Sequence, residues 1–225
     1  MMKAPIAVAL DAPDLETVKF WAKACAPAVD VLKIGLEVYL RDGEAAIDVI
    51  RQTDCKLFLD LKLHDIPNTV KGAAISVARF EPEFLTVHAS GGPSMISAAA
   101  NALPNTKITA VTILTSLSAQ DLIAVGFEKS AEELAVRMAK MAVEAGAQAI
   151  VCSPHEVSAI RAVVPIETTL ITPGVRPLGA DLGDQSRVAT PNEAIANGAN
   201  IVVIGRPITG AADIGAAAVE IAASL

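Results

Sequence analysis

The 225-residue chain is 52% hydrophobic and 19% charged, and its 18 Lys and Arg against 25 Asp and Glu leave a net charge of −7, with a mean hydropathy of +0.48. That balance excludes a disordered chain, and the lack of any Lys/Arg-rich block, together with only 3% aromatic residues, excludes a nucleic-acid surface built on phosphate contacts and base stacking. Charged or turn residues interrupt every apolar run short of the ~18 residues that a membrane helix needs, so no membrane span is expected.

In chain order, β-branched runs alternate with longer amphipathic or Ala-rich stretches. A strand over Ile6–Leu10 runs into Asp11 and Asp14 instead of a small-residue cleavage site, so export is not expected and the cytoplasm is the expected location. A helix over Asp14–Ala26 follows, then a strand over Val31–Gly35, a helix over Gly43–Gln52, a strand over Lys56–Leu61 and a helix over Thr69–Phe80. The pattern continues with a strand over Phe84–Ala89, a helix over Ser94–Ala102, a strand over Ile108–Leu114 and a helix over Ala131–Ala145. The last units pair Ala149–Ser153 with His155–Val163, Thr168–Thr172 with Pro191–Asn197, and Ile201–Gly205 with Ala211–Ala222. Eight βα units with no Ser/Pro/Gly linker between halves predict a single α/β domain over residues 1–225, a (β/α)8 TIM barrel. An open doubly wound sheet is the alternative, but Asp11-Ala12-Pro13-Asp14 stands where its glycine fingerprint would follow the first strand.

A barrel gathers functional groups at the C-terminal ends of its strands. The polar residues there are Asp11, Lys33, Asp60 with Lys62, His88, Thr115 with Ser116, Ser153, and Arg206 after Gly205. Asp60 and Lys62 stand two apart on one strand and so share its inward face, with Leu59, Leu61 and Leu63 on the other. Buried singly, each charge costs several kcal/mol, so the fold has to pair them, and Lys33 on the neighbouring strand is a natural third member. The same residues also fit an inward salt bridge that only finishes the core. Asp65, ahead of Pro67, fits an N-cap as well as a site residue, and His88 fits a core histidine as well as a ligand. The three histidines lie in different segments without HExxH spacing, so no metal site is expected. Cys25, Cys55 and Cys152, odd in number and without CxxC spacing, read as buried thiols in a reducing compartment.

Barrels of this type often hold a phosphate between the loops after strands seven and eight. Here the first of these runs Thr172-Pro173-Gly174-Val175-Arg176-Pro177 and continues through Gly183-Asp184-Gln185-Ser186-Arg187, long enough to serve as a lid. The second is Gly205-Arg206-Pro207, which allows close backbone approach and offers a guanidinium for bidentate phosphate contact. A disordered insertion and a surface arginine are the plainer alternatives.

The segment Asp60-x-Lys62-x-x-Asp65-Ile66-Pro67-Asn68-Thr69 resembles the signature of the orotidine 5'-phosphate decarboxylases. Ala9-Leu10-Asp11, Leu32-Lys33-Ile34-Gly35, Val87-His88-Ala89, Leu114-Thr115-Ser116, Thr172-Pro173-Gly174-Val175-Arg176, Gly183-Asp184-Gln185 and Ile204-Gly205-Arg206-Pro207 extend the likeness along the whole chain in family order. The resemblance implies decarboxylation of orotidine 5'-monophosphate to UMP, the last step of de novo pyrimidine synthesis, in a cytoplasmic homodimer without metal or organic cofactor. It assigns Lys33, Asp60 and Lys62 to a charged network completed by Asp65 from the other subunit. Asp11 and Lys33 are implied at the ribose with Thr69 from that subunit, Thr115 and Ser116 at the pyrimidine, Gln185 and Arg206 at the phosphate, and Arg176 and Gly205 elsewhere among the substrate-binding residues. Ser186 stands where many members carry a second basic residue, which leaves phosphate affinity open. The chemistry is consistent with this, because loss of CO2 without an adjacent electron sink leaves a localised carbanion that a fixed ammonium can stabilise. Rival expectations are a Mg2+-dependent keto-sugar-phosphate decarboxylase or hexulose-phosphate synthase, a Schiff-base aldolase, for which a lysine flanked by two Asp is poorly suited, and a non-catalytic phosphate-ligand sensor.

Overall fold

The structure is a computed structural model that describes residues 3–175 and 189–225. Eight parallel strands, β1 (Ala4–Ala9), β2 (Val29–Gly35), β3 (Lys56–Leu63), β4 (Phe84–His88), β5 (Lys107–Val111), β6 (Ala149–Val151), β7 (Thr169–Thr172) and β8 (Ile201–Ile204), close in sequence order, β8 pairing with β1. Around them lie α1 (Leu15–Cys25), α2 (Leu36–Asp42), α3 (Glu44–Arg51), α4 (Pro67–Val77), α5 (Pro93–Ala102), α6 (Ala119–Ala124), α7 (Ala131–Glu144), α8 (Val157–Arg161), α9 (Pro191–Ala196), α10 (Arg206–Thr209) and α11 (Ile214–Ala223). This is the (β/α)8 barrel expected from the eight-unit pattern. None of the helices among the described residues is long and apolar enough to cross a membrane.

Strand alternation divides the core in two. Outward side chains such as Leu32, Ile34, Leu59, Leu85 and Val87 pack under the helices in one large cluster. Inward side chains Ala7, Val31, Phe58, Phe84, Ala149, Ile171 and Ile201 form a second cluster that plugs the barrel, with the Phe58 and Phe84 rings tilted at 5.5 Å. Ala7 and Ala149, the smallest members of the plug, leave volume for the two phenyl rings. The helices are fixed at their entrances by local chemistry. The Asp14 carboxylate accepts from Thr17 N at 2.7 Å, and Ser118/Asp121, Ser130/Glu133 and Thr190/Glu193 each form a reciprocal capping box.

Several expected boundaries are corrected. Strand β5 ends at Val111, so Leu114, Thr115 and Ser116 stand on the loop beyond it. Strands β4, β6 and β8 also stop one or two residues early, at His88, Val151 and Ile204. Helix α4 begins at Pro67, and three short helices, α2, α6 and α10, were not expected. Each of the three has seven residues or fewer, too few for a 3.6-residue period to declare itself.

Candidate active site

Above the plug, the inward positions turn from apolar to charged. On β2 the inward series runs Val31, Lys33, Gly35, and on β3 it runs Phe58, Asp60, Lys62. Lys33 and Asp60 are 7% and 8% exposed. Lys62 Nζ donates to both Asp60 oxygens, at 2.9 and 2.8 Å. Lys33 Nζ lies 3.5 Å from Asp60 Oδ2 and donates to Asp11 Oδ1 at 3.3 Å. The result is a chain of alternating sign, Asp11–Lys33–Asp60–Lys62, across the ends of three strands. Gly35 makes room for it. It sits in register with Asp60, and a Cβ there would lie 2.9 Å from both Lys33 Nζ and Asp11 Oδ1.

Strand β3 reaches this arrangement through a bulge. Leu59 pairs with Leu85, but the next partners are Leu63 and Val87, so four steps on β3 face two on β4. Inside the bulge Lys62 adopts φ 48°, a left-handed conformation that costs a non-glycine residue on the order of 1–3 kcal/mol. Strain of that size persists only where the surroundings hold it, and here Thr86 Oγ1 accepts from the Lys62 backbone N–H at 2.8 Å.

The electrostatics follow from the neighbours. Burial pushes the Asp60 carboxyl up, but the Lys33 and Lys62 charges and the hydrogen bonds from Lys62 and Thr86 outweigh it and hold the group below the usual carboxylate range. Asp60 is therefore an anion with two cations on it. His88 is half-buried at the end of β4, its ring centroid 5.4 Å from that of His64. Burial, with the Lys62 charge and the neighbouring His64 ring, pushes its pKa below the usual histidine value, which favours the neutral imidazole.

The cavity beside Lys62 has a volume of about 180 Å3. Its charged side is Lys33, Asp60 and Lys62; its floor and far wall are apolar, with Phe58, Val111, Ile113, Val151, Pro173 and Val203, and Thr115 stands at the rim. Cys152 also lines it, and burial raises this thiol far above neutrality, so it is an inert part of the wall.

Other expected residues lie further out. Asp65 and Thr69 are exposed on the β3–α4 connection and the first turn of α4, beside Ile66, which is 66% exposed. The N-cap of α4 is Ile66, and among the described residues the Asp65 carboxylate accepts only from the adjacent Ile66 N–H, at 2.6 Å, so the capping alternative is corrected. Ser116 is exposed on the β5–α6 loop, Ser153 is buried beneath the mouth, and Gly205 and Arg206 open α10 at the end of β8 with the Arg206 side chain exposed. Arg176, Gln185, Ser186 and Arg187, and with them the expected lid, lie outside the described residues. The sequence reading passed over Thr86. Its signal was present, since Phe84, Thr86 and His88 alternate on one face of the strand just as Phe58, Asp60 and Lys62 do.

A closed parallel barrel with a lysine–carboxylate chain centred on buried Lys33 and Asp60, beside an apolar cavity at the C-terminal ends of the strands, has the architecture of an α/β-barrel enzyme. The family model described as "Orotidine 5'-phosphate decarboxylase / HUMPS family" matches residues 4–221, and the chain belongs to that family. Similar proteins named orotidine 5'-phosphate decarboxylase include one from Thermobifida fusca, 60% identical over all of this chain and 97% of the relative, and one from Anaeromyxobacter sp. (strain K), 52% identical over 98% and 97%. Among solved structures, the orotidine 5'-phosphate decarboxylase of Lactobacillus acidophilus superposes with a TM-score of 0.84 at 35% identity, covering 97% of each chain.

Proposed function

We propose that this chain decarboxylates orotidine 5'-monophosphate to UMP and CO2, the last step of de novo pyrimidine synthesis, as one barrel over residues 1–225 and without metal or organic cofactor. The observation that carries the proposal is the Lys62 ammonium, held on buried Asp60 by a strained bulge and facing an apolar cavity. Full-length relatives with the decarboxylase name support it, at up to 60% identity among those compared.

In the reaction, the bond from ring carbon C6 to the carboxylate breaks and leaves its electron pair on C6. The Lys62 ammonium stabilises that charge as it develops and transfers its proton to C6; the neutral amine then regains a proton from solvent. Asp60, with Lys33 behind it, keeps the ammonium in place before the substrate arrives, so little reorganisation is needed at the barrier. Asp11 and Lys33 bind the ribose, Thr115 and Ser116 read the pyrimidine edge, Gln185 and Arg206 hold the phosphate, and Arg176 and Gly205 also bind substrate. Asp65 and Thr69 act across a homodimer interface in the partner's site. Their exposure, beside Ile66, which is exposed as well, supports this placement. The cytoplasm is the proposed location, consistent with free Cys25, Cys55 and Cys152.

An absorbance assay with orotidine 5'-monophosphate, run with and without EDTA, tests the proposal. Turnover that EDTA leaves unchanged is expected. No turnover of this substrate would overturn it, in favour of the Mg2+-dependent branch if a keto-sugar phosphate is turned over in an EDTA-sensitive way, and in favour of the sensor if UMP binds and nothing is turned over.

A further inference from the structure

Thr86 is fully buried at the centre of β4, and no step of the decarboxylation uses it. Its hydroxyl nevertheless touches both halves of the catalytic pair. Oγ1 accepts from the backbone N–H of Lys62 at 2.8 Å and lies 2.9 Å from Asp60 Oδ1. The proton placement is forced: an N–H can only donate and an ionised carboxylate can only accept, so the single hydroxyl proton points at Asp60.

The bulge is what makes this hydroxyl necessary. Between Leu59 and Leu63 the β3 backbone leaves the ladder with β4, and the Lys62 N–H finds its partner in a side chain instead of a carbonyl. The same oxygen that ties down the left-handed backbone also restrains the carboxylate on which Lys62 Nζ rests. Lys62 is thus fixed at both ends, its main chain by Thr86 and its ammonium by an Asp60 that Thr86 orients.

We propose that Thr86 is a positioning residue for the reaction, its hydroxyl coupling the strained backbone of Lys62 to the carboxylate of Asp60 so that the ammonium stands in one place over the reacting carbon. This rests on the decarboxylase reading for its chemistry, though not for its geometry. A misplacement of about 1 Å at a reacting group costs up to roughly a hundredfold in rate, so the effect belongs in kcat.

Thr86→Val keeps the shape and removes the hydroxyl. It is expected to lower kcat by about ten- to a hundredfold while KM and the dissociation constant for UMP move by no more than about threefold, and Thr86→Ser is expected to recover most of the loss. If Thr86→Val does not give folded protein, Thr86→Ala and Thr86→Ser carry the same contrast, since both shed the methyl and only Ser keeps the hydroxyl. A hydroxyl-free variant with wild-type kcat, or a Ser variant as impaired as Ala, overturns the proposal. Turnover by the wild type tests the decarboxylase reading separately. A readout that needs no turnover is the 13C titration of the Asp60 carboxyl. Asp60 is faced by Lys33 from β2, Lys62 on its own strand, Thr86 and His88 from β4, with Asp11 beyond Lys33 and His64 beyond His88. Loss of one hydrogen bond to its ionised form should raise its pKa, and an unchanged titration in Thr86→Val or Thr86→Ala overturns the placement even if the wild type proves inactive on this substrate.

Discussion

Lys62 makes its two contacts to Asp60 from a backbone conformation that lysine rarely adopts. On the proposed mechanism this side chain is replaceable in the fold but not in the chemistry. Lys62→Ala should stay folded and still bind UMP, while kcat falls by far more than tenfold, a factor equivalent to about 1.4 kcal/mol of barrier. Steady-state kinetics beside UMP titration decide this, and a variant retaining more than about a tenth of wild-type kcat contradicts the assigned role. Asp60 adds a pH dependence. Its folded pKa lies below that of the unfolded chain, so its contribution to stability is complete above the unfolded value, about 3.9, and is lost as pH falls through the folded value. The thermal stability advantage of wild type over Asp60→Asn should therefore be full at neutral pH and shrink below about pH 4, as melting curves across that range would show.

At the scale of elements, β2 and β3 meet the site through one small residue. Gly35 has extended backbone, φ −94° and ψ −177°, that any residue can adopt, so its reason is space and not conformation. A methyl at Gly35 must displace Lys33 Nζ or Asp11 Oδ1, both side-chain ends able to move. Gly35→Ala should therefore melt within a few degrees of wild type yet raise KM by about tenfold or more if, as proposed, Asp11 and Lys33 bind the ribose, since that pair is pushed apart; an unchanged KM contradicts that role for Asp11 and Lys33. The strands and their inward series were legible in sequence because period-two alternation of Val31 with Lys33 and Phe58 with Asp60 marks both the element and the face. The Lys33–Asp60–Lys62 network was legible for the same reason, since buried charges on adjacent strands must find each other. Helix α2 was hidden because it leaves Gly35 directly, without a side-chain cap. Helix α6 did carry a signal, Ser118 and Asp121 at capping-box spacing, which was passed over. The bulge left no trace, because Asp60 and Lys62 still alternate inward with Leu61 and Leu63 outward.

For the molecule as a whole, Asp65, Ile66 and Thr69 form an exposed stretch between the end of β3 and the first turn of α4. If Asp65 serves the partner's site, neither Lys62→Ala nor Asp65→Ala homodimers are active, but a mixed dimer has one intact composite site. Refolding the two inactive proteins together should restore activity, to a ceiling of roughly a quarter of the wild-type specific activity by random pairing. No recovery, with subunit exchange demonstrated by differently tagged chains, would place Asp65 in its own subunit's chemistry.

The mismatch of four β3 steps to two on β4 also limits how the length of this strand can change over time. An excess of two leaves the facing of every later residue as it was, whereas an excess of one would turn Leu63 into the barrel and swing the connection bearing Asp65 to the opposite side of the wall. Gains and losses of residues here are tolerable in pairs and ruinous singly. A lineage that lost two of the three residues between Leu59 and Leu63 would recover a regular ladder but give up Asp60, Lys62 or both, so that a repair which keeps the facing of the strand still dismantles its charged pair.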